Sequence, residues 1–202
     1  MNRTLRASGV TAALVLTLSL AACGGNKSDS KNAEPMPSKT TASAMGPAAQ
    51  TFGPACSAIP KSGAGSFNGM ATAPVASAAS ANPLLTTLVA AVTKAGLVDT
   101  LNSAKALTVF APTDDAFAKL PKADLDAVLA DKAMLTKILT HHVVAGQLDP
   151  SHVGGAHETL NKDSVTVTGD ESGMTVDGAK VLCGNIPTSN ATVYVIDTVL
   201  MP

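Results

Sequence analysis

Aromatic residues are scarce in this chain of 202 residues, which contains no Trp, one Tyr and four Phe. Nucleic-acid bases and sugar rings are often bound by stacking on such side chains, so the sequence offers little material for either kind of site. Charged residues make up only 14% of the chain, and the formal net charge is -1. Without a basic surplus to neutralise phosphates, we expect no nucleic-acid partner.

Motifs of catalysis and cofactor binding are also missing. The chain has no Gly-x-Ser-x-Gly, and residues 169–173 (GDESG) carry the serine at the wrong position and are interpreted as a turn. It has neither a phosphate-binding Gly-x-x-x-x-Gly-Lys nor a dinucleotide fingerprint. The adjacent carboxylates Asp114 and Asp115 lack a general-acid partner, and acids at a helix start commonly serve as caps. We therefore predict no enzyme, no catalytic residue and no cofactor.

The apolar run near the start, residues 9–20, is too short to span a bilayer. It follows Arg3 and Arg6 and precedes small residues, a pattern typical of a secretory signal peptide. The Leu-Ala-Ala-Cys that ends at Cys23 resembles the bacterial lipobox, whose cysteine receives a diacylglycerol. We predict a signal peptide at 1–22 and a lipid on Cys23 that anchors the protein to the cell membrane, facing outside, with shed or secreted forms. An ordinary signal peptide cut at the same place is the alternative.

Two cysteines remain after such a cleavage, Cys56 and Cys183. Export brings them into an oxidising compartment, where an even pair usually forms a bridge. We predict a disulfide between them, with two buried free thiols as the alternative.

Composition divides the remainder of the chain. Residues 24–50 contain no aromatic or branched aliphatic side chain, and such a segment cannot offset the entropy lost on ordering. We predict a disordered tether at 23–50. Residues 51–81, rich in Gly, Ala and Pro, are predicted to form an irregular extension that packs on the domain through Cys56.

The pattern from residue 82 onward predicts helices first and strands later. Asn82 and Pro83 suit the start of a helix, and apolar residues follow at helical spacing. A strand is predicted at 107–110, helices continue to residue 141, and alternating strands occupy 164–196. This order argues for one α+β domain at 82–202.

Three segments of this domain resemble signatures of the fasciclin family. The first is Thr-Val-Phe-Ala-Pro-Thr-Asp-Asp-Ala-Phe at 108–117, and the last is Ala-Thr-Val-Tyr-Val-Ile-Asp-Thr-Val-Leu at 191–200. Between them, Leu-Thr-His-His-Val-Val-Ala-Gly at 139–146 resembles the family's tyrosine–histidine segment. The lipobox and the surroundings of Cys56 further resemble the mycobacterial-type secreted and lipid-anchored fasciclin antigens.

The resemblance implies a compact wedge of strands flanked by helices, in an extracellular adhesion or matrix-interaction module without a cofactor. His142 matches the family histidine, whereas His141 stands where the family often has tyrosine. That pair is implicated in integrin binding by some animal members, so the departure at His141 matters for adhesion. In the related antigens a disulfide joins the N-terminal extension to the domain, which fits Cys56 with Cys183.

The candidate site residues also have structural interpretations. We predict that His142 is buried and hydrogen-bonds the first signature, whereas His141 points elsewhere and is exposed for contact or to solvent. Thr113 is predicted to cap a helix with Asp114 in its first turn, and Asp197 to belong to a turn or network. Zinc binding by the four histidines is an alternative, but no Cys or Asp spacing completes such a site, and we predict no metal.

The function predicted from these observations is a non-enzymatic surface module that binds an extracellular protein, matrix or a host-cell surface, as a monomer. The alternative is a carrier of a small hydrophobic ligand at the cell envelope, because a core of small aliphatic side chains leaves room for an apolar cavity.

Overall fold

The computed structural model describes residues 46–202, so the predicted signal peptide (1–22), the lipid attachment at Cys23 and most of the predicted tether (23–50) lie outside the described residues. Within this part of the chain, no helix is both long enough and apolar enough to cross a membrane.

Seven α-helices and seven β-strands are present in the described residues. The helices are α1 (Phe67–Ala71), α2 (Val75–Ser80), α3 (Thr86–Ala95), α4 (Val98–Ser103), α5 (Asp114–Ala118), α6 (Lys122–Ala130) and α7 (Lys132–His141). The strands are β1 (Leu107–Pro112), β2 (Val143–Ala145), β3 (Gly155–Glu158), β4 (Ser164–Thr168), β5 (Thr175–Val176), β6 (Ala179–Pro187) and β7 (Ala191–Ile196). All seven helices precede β2, and β1 is the one strand that lies among them in sequence. Helices therefore come first and most strands later, and the predicted α+β class is confirmed.

The strands form one sheet in the order β2-β1-β7-β6-β5-β4-β3. The central neighbours β1 and β7 run parallel, from Leu107 opposite Ala191 to Pro112 opposite Ile196. All the other neighbouring pairs in the sheet are antiparallel. The two edge strands approach each other at one point, where Val144 bridges Thr159 and the Leu160 amide donates to the Val143 carbonyl at 2.8 Å. The sheet is therefore curled, which gives the wedge that the resemblance implies.

Two apolar cores lie on opposite faces of the central strands, because successive side chains of a strand point to opposite sides. On one face, Val109 and Val195 pack against the helices. On the other, Phe110 and Tyr194 fill the inside of the curl with valines of β4 and β5. Both β1 and β7 are buried along their whole length.

The extension from residue 46 onward is more regular than its composition indicates. It contains two short 3-10 helices, at Pro47–Gln50 and Pro54–Ala58, followed by α1 and α2. Composition places residues 47–50 in the tether, but the Asn185 side chain donates to the Gln50 carbonyl at 2.9 Å and so ties this end of the segment to β6. A side chain distant in sequence thus supplies a partner that the composition of the segment does not reveal.

The disulfide between Cys56 and Cys183 is confirmed, and it attaches the extension to β6. Next to it, Phe52 forms an antiparallel bridge with Gly184. A Cβ atom on Gly184 would lie 2.3 Å from the Phe52 ring, so this close approach requires glycine.

Asn190, between β6 and β7, joins three elements through its buried side chain. Its Oδ1 accepts from the Val75 amide at 2.9 Å, and its Nδ2 donates to the carbonyls of Leu101 at 2.8 Å and Ala104 at 2.9 Å. These bonds satisfy backbone groups at the start of α2 and the end of α4, and so fix both helices on the sheet.

Candidate functional site

Thr113 and Asp114 follow directly after β1 and connect it to two helices. Thr113 is the N-cap of α5, as predicted from the sequence, and its Oγ1 accepts from the Ala116 amide at 3.2 Å. Asp114 lies in the first turn of α5, but its side-chain hydrogen bonds go to another helix. Its carboxylate accepts from the Thr87 amide at 2.7 Å and from the Thr86 hydroxyl at 2.6 Å, so it caps the neighbouring helix α3.

This cap explains why α3 begins at Thr86 rather than at Pro83. Asn82 is buried, and its side chain accepts from the Leu84 amide in a local turn instead of capping a helix. Partial burial opposes ionisation of Asp114, but the hydrogen bonds from Thr86 and Thr87 outweigh it and lower the pKa of this carboxyl. Asp114 is thus held as a carboxylate that serves the fold.

We expect Asp114→Ala to lower the free energy of unfolding by about 1–2 kcal/mol, the usual cost of losing a helix cap. Urea denaturation followed by circular dichroism measures the change. Asp115→Ala is the matched control: this exposed neighbour lies in the same turn of α5, and we expect at most about 0.5 kcal/mol from it. Equal losses in the two variants would contradict the capping role.

Asp197 lies just beyond the carboxyl end of β7 and holds three elements together. It accepts from the Lys180 amide of β6 at 2.8 Å and from the Lys119 ammonium, after α5, at 3.0 Å. Burial opposes ionisation, but these hydrogen bonds lower the pKa of the carboxyl. The interpretation of Asp197 as a network residue agrees with these bonds.

His142 is 2% exposed and uses both ring nitrogens inside the domain. Its Nδ1 lies 2.8 Å from the Ile138 carbonyl, and its Nε2 accepts from the Leu200 amide at 2.9 Å. Nδ1 must therefore carry the proton of a neutral imidazole. Burial lowers the pKa of His142 to about 4, the Ile138 carbonyl opposes this, and His141 adds to it.

The sequence predicts that the His142 side chain hydrogen-bonds the first signature, and the structure shows a different partner for the ring. The ring bonds the C-terminal segment at Leu200, whereas the first signature is reached by the backbone, where the Phe110 amide donates to the His142 carbonyl at 2.9 Å. The histidine thus connects the end of α7, β1 and the C-terminal segment.

His141 is 5% exposed, and the prediction of an exposed contact residue is wrong. It does point away from His142, but the turn between β3 and β4 covers that side of the helix. Its Nδ1 lies 2.7 Å from a carboxylate oxygen of Asp163, although the ring is not aligned for a linear hydrogen bond.

The turn that covers His141 is a small polar network. Thr159 and Asn161 donate side-chain hydrogen bonds to Asp163, and the Asn161 bond is 2.7 Å long. Burial opposes ionisation of Asp163, but the hydrogen bonds from Thr159 and Asn161 and the nearby His141 ring lower its pKa to about 2. Sequence analysis missed this network, although the alternation of polar residues at 159, 161 and 163 is a signal for a turn.

The remaining histidines are engaged separately. His152 is paired with Asp149 at 2.9 Å, and the Nε2 of His157 lies 2.8 Å from the Val153 carbonyl. Among residues 46–202, no group of three or more His, Cys, Asp or Glu side chains is arranged to hold a metal ion. The polar residues selected from the sequence therefore act in separate structural networks rather than in one reacting centre.

Comparison with known proteins decides the family. The fasciclin domain model matches residues 83–202. The chain belongs to the fasciclin domain family. This domain accounts for the helices from α3 onward and for the whole sheet, while the extension with α1 and α2 precedes it.

Relatives of this fasciclin chain include two mycobacterial proteins. The cell surface glycolipoprotein MPB83 of Mycobacterium bovis is 43% identical over 210 residues, which cover 97% of this chain and 95% of MPB83. The immunogenic protein MPB70 of the same species is 50% identical over 163 residues, which cover 77% of this chain and 84% of MPB70. The predicted resemblance to mycobacterial fasciclin antigens is confirmed.

The fold is shared with a solved FAS1 domain pair from the insect cell adhesion molecule fasciclin I. The likeness has a TM-score of 0.50 at 23% identity and covers 58% of this chain and 45% of the other. At this identity the likeness concerns the fold alone.

Proposed function

We propose that this chain is a lipid-anchored cell-surface protein whose fasciclin domain binds an extracellular protein or matrix component without catalysing a reaction. The observation that carries the proposal is the similarity to MPB83, whose name describes a cell surface glycolipoprotein, over 97% of this chain. The unaligned remainder is shorter than the 22 residues before Cys23, so the lipobox falls within the aligned region.

The geometry of the candidate residues supports a binding role over a catalytic one. Asp114 and Asp197 are occupied by hydrogen bonds that hold helices and strands together. His142 has no free ring nitrogen, because one bonds Ile138 and the other Leu200. A general base or nucleophile needs a group that can reach a substrate. The His142 ring faces the interior of the domain, and the partly exposed carboxylates of Asp114 and Asp197 are engaged in structural hydrogen bonds.

The burial of His141 and His142 limits where a partner can contact the domain. His141 and His142 are 5% and 2% exposed, so neither offers a contact surface in this structure. The proposed adhesion therefore relies on exposed residues elsewhere on the domain, and not on the histidine pair.

We expect Cys23→Ser to move the protein from the membrane fraction to the medium, because the lipid is the proposed anchor. Cell fractionation with mass analysis of the N-terminus measures both location and acylation. Ser28→Ala, in the same segment, is the control and is expected to stay with the membrane. Membrane retention of the Cys23→Ser protein without a lipid would contradict the anchor.

Binding is tested separately with the soluble full-length Cys23→Ser protein on arrays of matrix proteins, host-cell extracts and glycans. The proposal expects saturable retention that is lost when the protein is unfolded in urea. Retention no greater than that of an unrelated exported domain would argue against adhesion. Turnover of ester or glycoside substrates that one substitution abolishes would contradict the non-enzymatic role.

A further inference from the structure

An apolar cleft opens between two pairs of helices on the helical face of the sheet. It lies among α2, α3, α4 and α7, above β1, and its enclosed part has a volume of about 60 Å³. The lining is mostly aliphatic and includes no Asp, Glu, Lys or Arg. Its polar side chains are those of His142, Thr100 and Thr140. Water would make few hydrogen bonds in such a space, so the cleft favours an apolar occupant.

The rim of the cleft is formed by apolar side chains that the fold leaves partly open to solvent. Val89, Leu97 and Val98 are half-buried, and Leu160 is 39% exposed. Leu160 occupies the turn between β3 and β4, where a polar residue is the usual choice. It is held beside the cleft by the hydrogen bond from its amide to Val143 and by the Asp163 network of the same turn.

The size of the enclosed part restricts the shape of an occupant. A cavity of about 150 Å³ lined by Leu, Ile and Phe is known to hold benzene, so 60 Å³ is too small for a ring. The end of an unbranched alkyl chain is narrower, and the rest of such a chain would lie along the open cleft against the apolar rim.

A positive charge lies outside the lining, beside the residue that precedes Leu97 of the rim. The Lys132 ammonium is 3.6 Å from the point that a Cβ atom on Gly96 would occupy, and Gly96 directly precedes Leu97 of the rim. No carboxylate in residues 46–202 lies within ion-pair distance of Lys132. This placement suits an anionic head group at the end of an alkyl chain.

We propose that the cleft is a binding site for a single unbranched acyl chain with an anionic head group, a fatty acid. The chain end enters the enclosed part of the cleft, the rim covers the next methylenes, and Lys132 attracts the carboxylate. This site is independent of adhesion and of the partner that the exposed surface binds.

Nuclear magnetic resonance of the methyl groups tests the site, with sodium decanoate as the probe and the full-length Cys23→Ser protein as the sample. We expect saturable shifts at Val92, Val98, Leu101 and Val109, which line the cleft. Ala79→Leu fills the cleft and is expected to weaken decanoate binding at least tenfold. Ala90→Leu makes the same change on the exposed side of α3, outside the lining, and is expected to preserve binding.

Two further variants test the cleft and the head-group position separately. Val98→Thr keeps the shape of the rim but adds a hydroxyl, and it replaces Ala79→Leu if that variant does not fold. Lys132→Met is expected to weaken decanoate binding several-fold while leaving decanol binding unchanged. No saturable shift, or equal binding in Ala79→Leu and Ala90→Leu, overturns the site, and equal losses for decanoate and decanol in Lys132→Met overturn the head-group assignment.

The acylated protein with Cys23 intact distinguishes two sources of the chain. If decanoate shifts the same methyl signals in both proteins, the site takes up free fatty acid as proposed. If those signals already have their shifted positions in the acylated protein and decanoate changes nothing, the occupant is the protein's own lipid, and the assignment to a free fatty acid is overturned.

Discussion

Replacing both half-cystines with alanine, Cys56→Ala with Cys183→Ala, is expected to lower the free energy of unfolding by about 5 kcal/mol. The bridge joins residues 127 positions apart and so restricts the unfolded chain strongly, and the logarithmic dependence on loop length gives this magnitude. Domains of this size have about 5–15 kcal/mol of stability in total, so the loss is a large fraction. Urea unfolding of the oxidised protein, the reduced protein and the double variant measures it.

The two ways of removing the bridge provide the control. Reduction of the natural protein and the alanine variant should agree within about 1 kcal/mol, because both remove the same cross-link. Hydrogen exchange gives a local measurement, in which the amides of Phe52 and Ile59 should lose more protection than those of β7. A loss of less than about 1 kcal/mol in the double variant would show that packing alone holds the extension on β6.

Protonation of His142 is expected to lower the free energy of unfolding by about 3 kcal/mol between neutral pH and pH 4. The pKa of His142 is lowered from 6.5 to about 4 in the folded domain. Between these two values the unfolded chain binds a proton that the folded chain does not, so stability is full above about pH 6.5 and falls as the pH decreases toward 4. A proton on Nε2 would also break the bond from the Leu200 amide, which needs an acceptor there.

His142→Gln is the variant that isolates this contribution. Glutamine offers an amide donor for the Ile138 carbonyl and an oxygen acceptor for the Leu200 amide, but it has no titration in this range. His141, His152 and His157 remain in both proteins, so the difference between their unfolding free energies at pH 7, 6, 5 and 4 reports His142. Parallel curves for the two proteins would refute the assignment.

Much of the fold follows from local patterns that the residues display directly. The Leu-Thr-Val-Phe and Thr-Val-Tyr-Val-Ile runs are dense in β-branched and aromatic side chains, which predicted the strands β1 and β7. Thr113 at a strand end, followed by acids, predicted the cap of α5. Two cysteines left after the lipobox predicted the bridge.

Most of the features that escaped prediction depend on partners distant in sequence. Asp114 caps α3, whose first residue lies 28 positions earlier, and no local pattern reveals that pairing. The side chain of Asn190 bonds Val75, 115 positions away. His141 is buried because a turn near residue 160 covers it, whereas helical periodicity only shows that it points away from His142.

The parallel pairing of β1 with β7 has a consequence for when the sheet can form. β7 is the last strand in sequence, yet it lies inside the sheet between β1 and β6. Until β7 has been synthesised, β1 has no partner on that side, and β2 meets the other strands only near Thr159, where Val144 forms its bridge. Pairings between segments so distant in sequence form slowly. Because β7 is the last of the seven strands to be synthesised, the sheet cannot be completed before all the others have been made.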